Sequence, residues 1–137
     1  PLAKALGFSR TLCAAEDDHA LFSDVDKRHV GFKLESKKAS WRFAVIATQG
    51  KGDDAALRAA LGSQNDYVAF VGSRKKAASL KSSLEAAGIS SADLARIKAP
   101  AGLDLKAITP EEIALSILSE IVLHHRSGQQ QQLEDQQ

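Results

Sequence analysis

The chain is short of the features that most quickly betray a function. It has one cysteine, Cys13, so no internal disulfide can form, and its cysteine and histidines carry no zinc spacing. It has no excess of charge: 18 basic residues meet 17 acidic ones, for a net charge of +1. That leaves no bulk electrostatic case for nucleic acid or a membrane surface, and any anion site must be local. It has no long hydrophobic run. Stretches such as Phe43–Ala47 fall far short of the ~20 residues that a bilayer-spanning helix needs. The opening residues carry no secretory-signal pattern, and with the lone cysteine they point to a reducing, cytoplasmic setting. The first residue is Pro1 rather than Met, which reads as a fragment or a processed product.

What is present is the pattern of one α/β domain. The 137 residues are 44% apolar and 26% charged, enough for a single core. Thr11–Ala15 is a short apolar run and reads as a buried strand. Val30–Leu34 alternates and reads as a strand near a sheet edge, followed by a polar loop. Phe43–Thr48 and Asp66–Val71 are continuous runs without alternation, which suits parallel strands covered on both faces. Each ends at glycine: Gly50 and Gly52 after the first, Gly72 after the second.

Helical periodicity follows each of these runs. The first helix starts near Asp53 as its N-cap, aligns Ala56, Leu57, Ala60 and Leu61, and stops at Gly62. The second starts at Ser73, turns Ala77, Leu80, Leu84 and Ala87 inward, and ends at Gly88. A shorter one has Ser90 as cap, Asp93 completing a box-like S-x-x-D, and Ile89 stapled to Leu94. The last opens on Thr109-Pro110-Glu111-Glu112, with Thr at N-cap, Pro at N1 and Glu at N3. Its apolar rows are Ile113, Ile117 and Ile121 beside Ala114, Leu118 and Val122. It should end near His125, with Arg126-Ser127-Gly128 as the break. The tail 127–137, with six glutamines from Gln129 onward, is expected to be disordered.

In an open parallel sheet, ligands bind beyond the carboxyl ends of the strands. Two loops qualify. In Gly72-Ser73-Arg74-Lys75-Lys76, three cations occupy what should be the first helical turn. There the helix dipole opposes them by about 0.3–1 kcal/mol each. With free backbone N–H groups they make an anion site, so Gly72, Ser73 and Arg74 are candidate phosphate contacts, with Lys75 and Lys76 beside them. The alternative is a solvated basic turn. The Thr48–Asp53 loop, with Thr48, Gly50 and Gly52, can cradle a phosphate or a polar ring, or can be a plain turn capped by Asp53. After Gly102, Asp104 can accept from a ligand hydroxyl or close an Asx-turn. His124 and His125 suit a helix C-terminus, His19 a surface, Cys13 a buried inert thiol, and Glu111 and Glu112 a helix start.

Several of these segments, taken in order, carry a family likeness. Tyr67–Ala77 resembles the strand–GSR–helix segment of the XdhC/CoxF family. Leu84, Gly88, Leu94-Ala95-Arg96, Ala99–Asp104, Thr109–Ala114 and Ser116–Ile121 follow in that family's order and spacing, and Thr48–Asp53 fits its mid-domain strand end. The resemblance covers roughly 1–126 and is strongest from 43 on. One departure is local: the family's Asp-Leu-Gly reads Asp104-Leu105-Lys106 here.

The resemblance implies a Rossmann-like parallel sheet flanked by helices, a domain over 1–126 that lacks the first strand and its glycine-rich turn. It implies an accessory protein or chaperone, without turnover of its own, that binds molybdenum cofactor. The cofactor is a pterin with a phosphate, either bare or nucleotide-extended. Family members help its sulfuration and insertion into an apo-molybdenum hydroxylase such as xanthine or carbon monoxide dehydrogenase. A cysteine desulfurase and a second copy of the chain are further expected partners. Thr48, Gly50, Gly52, Gly72, Ser73, Arg74, Gly102 and Asp104 are the expected cofactor contacts. The competing functions are an NAD(P)-linked oxidoreductase and a docking module without ligand. In a 3-2-1-4-5 order the absent strand is central. The Thr11 and Phe43 strands should then pair directly, or a second chain should supply contacts.

Overall fold

The computed structural model describes residues 2–14, 24–32, 41–48, 50 and 52–136. Helix α1 (Leu2–Ala5) leads into β1 (Thr11–Ala14) and β2 (Lys27–Val30). Then come β3 (Phe43–Ile46), α2 (Asp53–Gly62), β4 (Tyr67–Phe70), α3 (Arg74–Ala86), α4 (Ser91–Ala95), β5 (Ile97–Lys98) and α5 (Pro110–Asp135). Every ladder is parallel: β1 pairs with β2, and a separate sheet has the order β3-β4-β5. The expected α/β class with helices on a parallel sheet is what forms.

The three-stranded sheet separates two apolar layers. On one face, Ile46, Val68, Phe70 and Ile97 meet Ala56, Leu57 and Ala60 of α2, Ala77 and Leu84 of α3, and Leu94 of α4. On the other, Tyr67 and Ala69 meet Ile117 and Ile121 of α5, with Phe8 and Phe43 packed against them. β4 is buried along its whole length, which is why its sequence is apolar without alternation. Phe70, Leu57, Leu84 and Val68 are the largest fully buried side chains. Each contributes about 1.5–3 kcal/mol by leaving water.

Helix starts follow the chemistry of their first residues. Ser73 accepts from Lys76 N, Ser90 from Asp93 N, and Thr109 from Glu112 N, with Glu112 returning a bond to the Thr109 N–H. Several boundaries differ from expectation. The N-cap of α2 is Gly52, at φ 85°, and Asp53 is the first helical residue. The second strand is Lys27–Val30 rather than 30–34, because Gly31 at φ 85° turns the chain away; residues 33 and 34 lie outside the described residues. β5 had no sequence signal beyond two residues. Ala87 is exposed.

α5 does not break at 126–128. It runs to Asp135, so the tail expected to be disordered is helical up to that residue. Glutamine is a good helix former, and Gly128 costs only about 1 kcal/mol in a helix. Arg126 bonds to Gln129 and Gln131 to Asp135, and Gly128 lets the Trp41 ring approach to where a Cβ would meet it at 2.6 Å. His124 and His125 therefore sit within the helix. His125 contacts Trp41 and Phe43, and His124 contacts Tyr67.

Among the described residues, β1 and β3 do not pair, so the expected direct joining of these two edges is not found.

Candidate functional site

Three loops leave the carboxyl ends of β3, β4 and β5. Backbone bonds hold their roots together: Val71 N donates to Ile46 O, and Ala101 N donates to Phe70 O.

The first loop is organised by Asp53, which is only 9% exposed. Its carboxylate accepts from the Thr48 hydroxyl and from Gly50 N at 3.1 Å. It also pairs with the Lys76 ammonium at 3.3 Å. Burial pushes this carboxyl up, but the bonds from Thr48, Lys76 and Gly50 outweigh it, and its pKa lies below the ordinary carboxylate value. Gly50 and Gly52 adopt φ near 85°, a left-handed conformation that a side chain resists. Thr48, Gly50 and Gly52 thus build the loop around Asp53, and the Thr48 proton is committed to it.

Lys76 is the link that sequence reading did not assign. It stands in the first turn of α3 and reaches back to Asp53, so it ties the β3 and β4 loops together. Three adjacent cations give no clue to which one carries an internal partner. Arg74 and Lys75 remain exposed and make no ion pair among the described residues. Ser73 accepts from Lys76 N, and the N–H groups of Arg74 and Lys75 have no hydrogen-bond acceptor among the described residues. The start of α3 is therefore a local positive site: two uncompensated cations, two open N–H donors and the helix dipole. Gly72 serves it indirectly. A Cβ there would lie 2.6 Å from the Phe70 ring, so the glycine lets the turn close over the core.

The third loop is placed differently. Gly102, at φ 96°, packs so closely on α5 that a Cβ would meet Ser116 Oγ at 2.4 Å. Its N–H donates to Glu120 Oε1, which also accepts from the Tyr67 hydroxyl. Burial and this carboxylate push the Tyr67 phenol well above its ordinary pKa. Asp104 accepts from Lys106 N at 3.3 Å, an Asx-type turn. Its hydrogen bond is local, and the structure does not join Gly102 or Asp104 to the cluster around Asp53 and Arg74. Lys106, where the resembling pattern has glycine, sits at φ 55°.

The remaining candidates are structural. Cys13 is half-buried, and burial raises its thiol pKa, which favours the protonated form. Glu112 completes the α5 capping box. His19 lies outside the described residues. Among the described residues, no group of three or more His, Cys, Asp or Glu side chains could hold a metal ion.

With this geometry in view, the comparisons with known proteins are specific. The profile of a family described as the XdhC Rossmann domain matches residues 1–121. The chain is 34% identical over 80 residues to the uncharacterized protein YqeB of Escherichia coli (strain K12), covering 58% of this chain and 15% of that protein. It also superposes, with a TM-score of 0.68 and 25% identity, on a crystal structure described as a xanthine dehydrogenase from Bacillus halodurans. That match covers 92% of this chain and 38% of the other. The chain thus spans well under half the length of both relatives.

Proposed function

The chain belongs to the XdhC Rossmann-domain family, and from that premise we propose that it is an accessory protein for a molybdenum hydroxylase. Its cargo is molybdenum cofactor, which it holds and passes to an apo-enzyme of the xanthine or carbon monoxide dehydrogenase type. The observation that carries this reading is the start of α3. Lys76 is neutralised by Asp53, while Arg74, Lys75 and two N–H groups stay open at the carboxyl end of a central strand. That donor set fits a phosphate, and the cofactor's pterin carries one. In this role Arg74 holds the phosphate, the Ser73–Lys75 backbone orients it, and the Asp53–Lys76 pair fixes the two loops beneath it.

Residues 1–126 form the binding domain, and 127–137 are an appendage. Among the described residues β1 and β3 lie in separate sheets, and a second copy of the chain is a further expected partner. A cysteine desulfurase is a second partner in cofactor sulfuration. A cytoplasmic setting is part of this reading. Among the described residues no helix is long and apolar enough to cross a membrane.

Calorimetric titration with molybdenum cofactor and with NAD, side by side, tests the reading. Saturable cofactor binding with little NAD affinity is expected. Preference for NAD would replace the accessory role with a nicotinamide-linked one, and binding of neither would leave a docking role.

A further inference from the structure

Beside the start of α3 lies an open groove of about 420 Å³, lined by Arg74, Ala77, Ala78, Lys81, Ala99 and Pro100. Its volume is within the about 300–1,000 Å³ typical of small-ligand sites. Four of the lining residues follow the i, i+3, i+4, i+7 spacing that puts them on one face of α3. The two ends of that face are cationic and the middle is methyl groups. Ala99 and Pro100 complete the lining.

We infer that this groove is a nucleoside-phosphate subsite, with phosphate at Arg74, base against Ala78 and Pro100, and Lys81 reading the base edge. The inference rests on the anion site proposed above and extends it. Its dimensions come from the helix: seven residues at 1.5 Å rise separate Arg74 from Lys81 by about 10 Å, the scale of a mononucleotide from phosphate to base edge. Ala78 is exposed on the groove and carries only a methyl group, so a planar ring can lie there. Lys81 supplies selectivity. Its ammonium only donates, and its bond to Ile97 O is long, at 3.4 Å, so donors remain for a ligand. A donor at the base edge favours a carbonyl-bearing base such as guanine over adenine, whose exocyclic group donates.

This subsite accepts either a free nucleotide or the nucleotide end of an extended pterin. The test is calorimetry of the full chain with inorganic phosphate, AMP, GMP and GDP. GMP should bind about tenfold more tightly than AMP, the size of one charge-assisted hydrogen bond, and AMP more tightly than phosphate. Lys81→Ala should erase the difference between GMP and AMP and leave phosphate affinity unchanged. Ala78→Leu, which fills the groove from an exposed helix position, should reduce both nucleotides to the affinity of phosphate. GDP above GMP would assign the groove to a diphosphate-linked, extended cofactor, and GMP at or above GDP to a free monophosphate. Equal affinities for GMP, AMP and phosphate would overturn the groove while keeping the anion site. No phosphate binding, with Arg74→Ala silent, would overturn both.

Discussion

β4 and β1 are both four-residue strands in parallel ladders, yet they do different work. All four residues of β4 are buried. It has a partner strand on each side and a helix layer on each face. No residue of β1, β2 or α1 is fully buried. The β1–β2 pair is fastened largely by polar contacts: Arg10 reaches Asp24 at 2.8 Å and Asp26 at 3.3 Å, and its N–H donates to Asp26. Exposed ion pairs contribute at most about 1 kcal/mol, whereas each large buried side chain around β4 contributes about 1.5–3. The candidate loops hang from the strong half. An anion site needs fixed donors, and the fixed backbone is where the core is.

The largest effect should come from the centre of that strong half. Phe70→Ala should cost about 3–5 kcal/mol in urea unfolding, and Leu12→Ala in half-buried β1 only about 1 kcal/mol. Equal costs would break the comparison. Gly72→Ala should cost about 1–3 kcal/mol, because its methyl meets the Phe70 ring. A neutral result in thermal melts would mean that the ring yields and the glycine serves something else.

A smaller change should run the other way. Lys106→Gly should raise stability by about 1 kcal/mol, since φ 55° is strained for any residue with a Cβ. An unchanged melting temperature would show that the loop relaxes freely. The smallest effect separates the halves by pH. Bonds from Arg10 hold the Asp24 and Asp26 carboxyls below their ordinary pKa. A depressed folded-state pKa gives stability that is present above about pH 4 and lost as pH falls further. Hydrogen-exchange protection, taken against the intrinsic rate at each pH, should therefore fall in β1 and β2 before β4 on acidification. Simultaneous opening would count against a division of the molecule into strong and weak halves.

The same division explains what could be read from sequence. The strong half announces itself in local chemistry. Unbroken apolar runs give β3 and β4, and Ser73, Ser90 and Thr109 each place a helix start correctly. The weak half does so only in part: Thr11–Ala15 reads as a strand and forms β1, but Lys27–Val30 has the composition of a surface segment and becomes a strand only by pairing with β1. At the candidate site, the helix start with its surplus cations was legible. The Asp53–Lys76 pair was not, since it joins the first turns of two helices that only the folded sheet brings together. Gly72 and Gly102 were visible as special positions, but what makes them so is the Phe70 ring and the α5 backbone. The helical tail was not legible because the glutamine run gives no hint of Trp41 packing on Gly128.

The central claim is that the open cations at the start of α3 hold the phosphate of a cofactor. Ser73 is a poor place to test it, because its hydroxyl also caps α3. Arg74→Ala removes the charge alone, and Arg58→Ala removes a similarly exposed arginine that pairs with Asp54 on α2. Titrating molybdenum cofactor into both variants and the parent chain is the direct measurement. The account predicts that Arg74→Ala weakens binding by about tenfold while Arg58→Ala leaves it unchanged. Equal affinity for all three would contradict it.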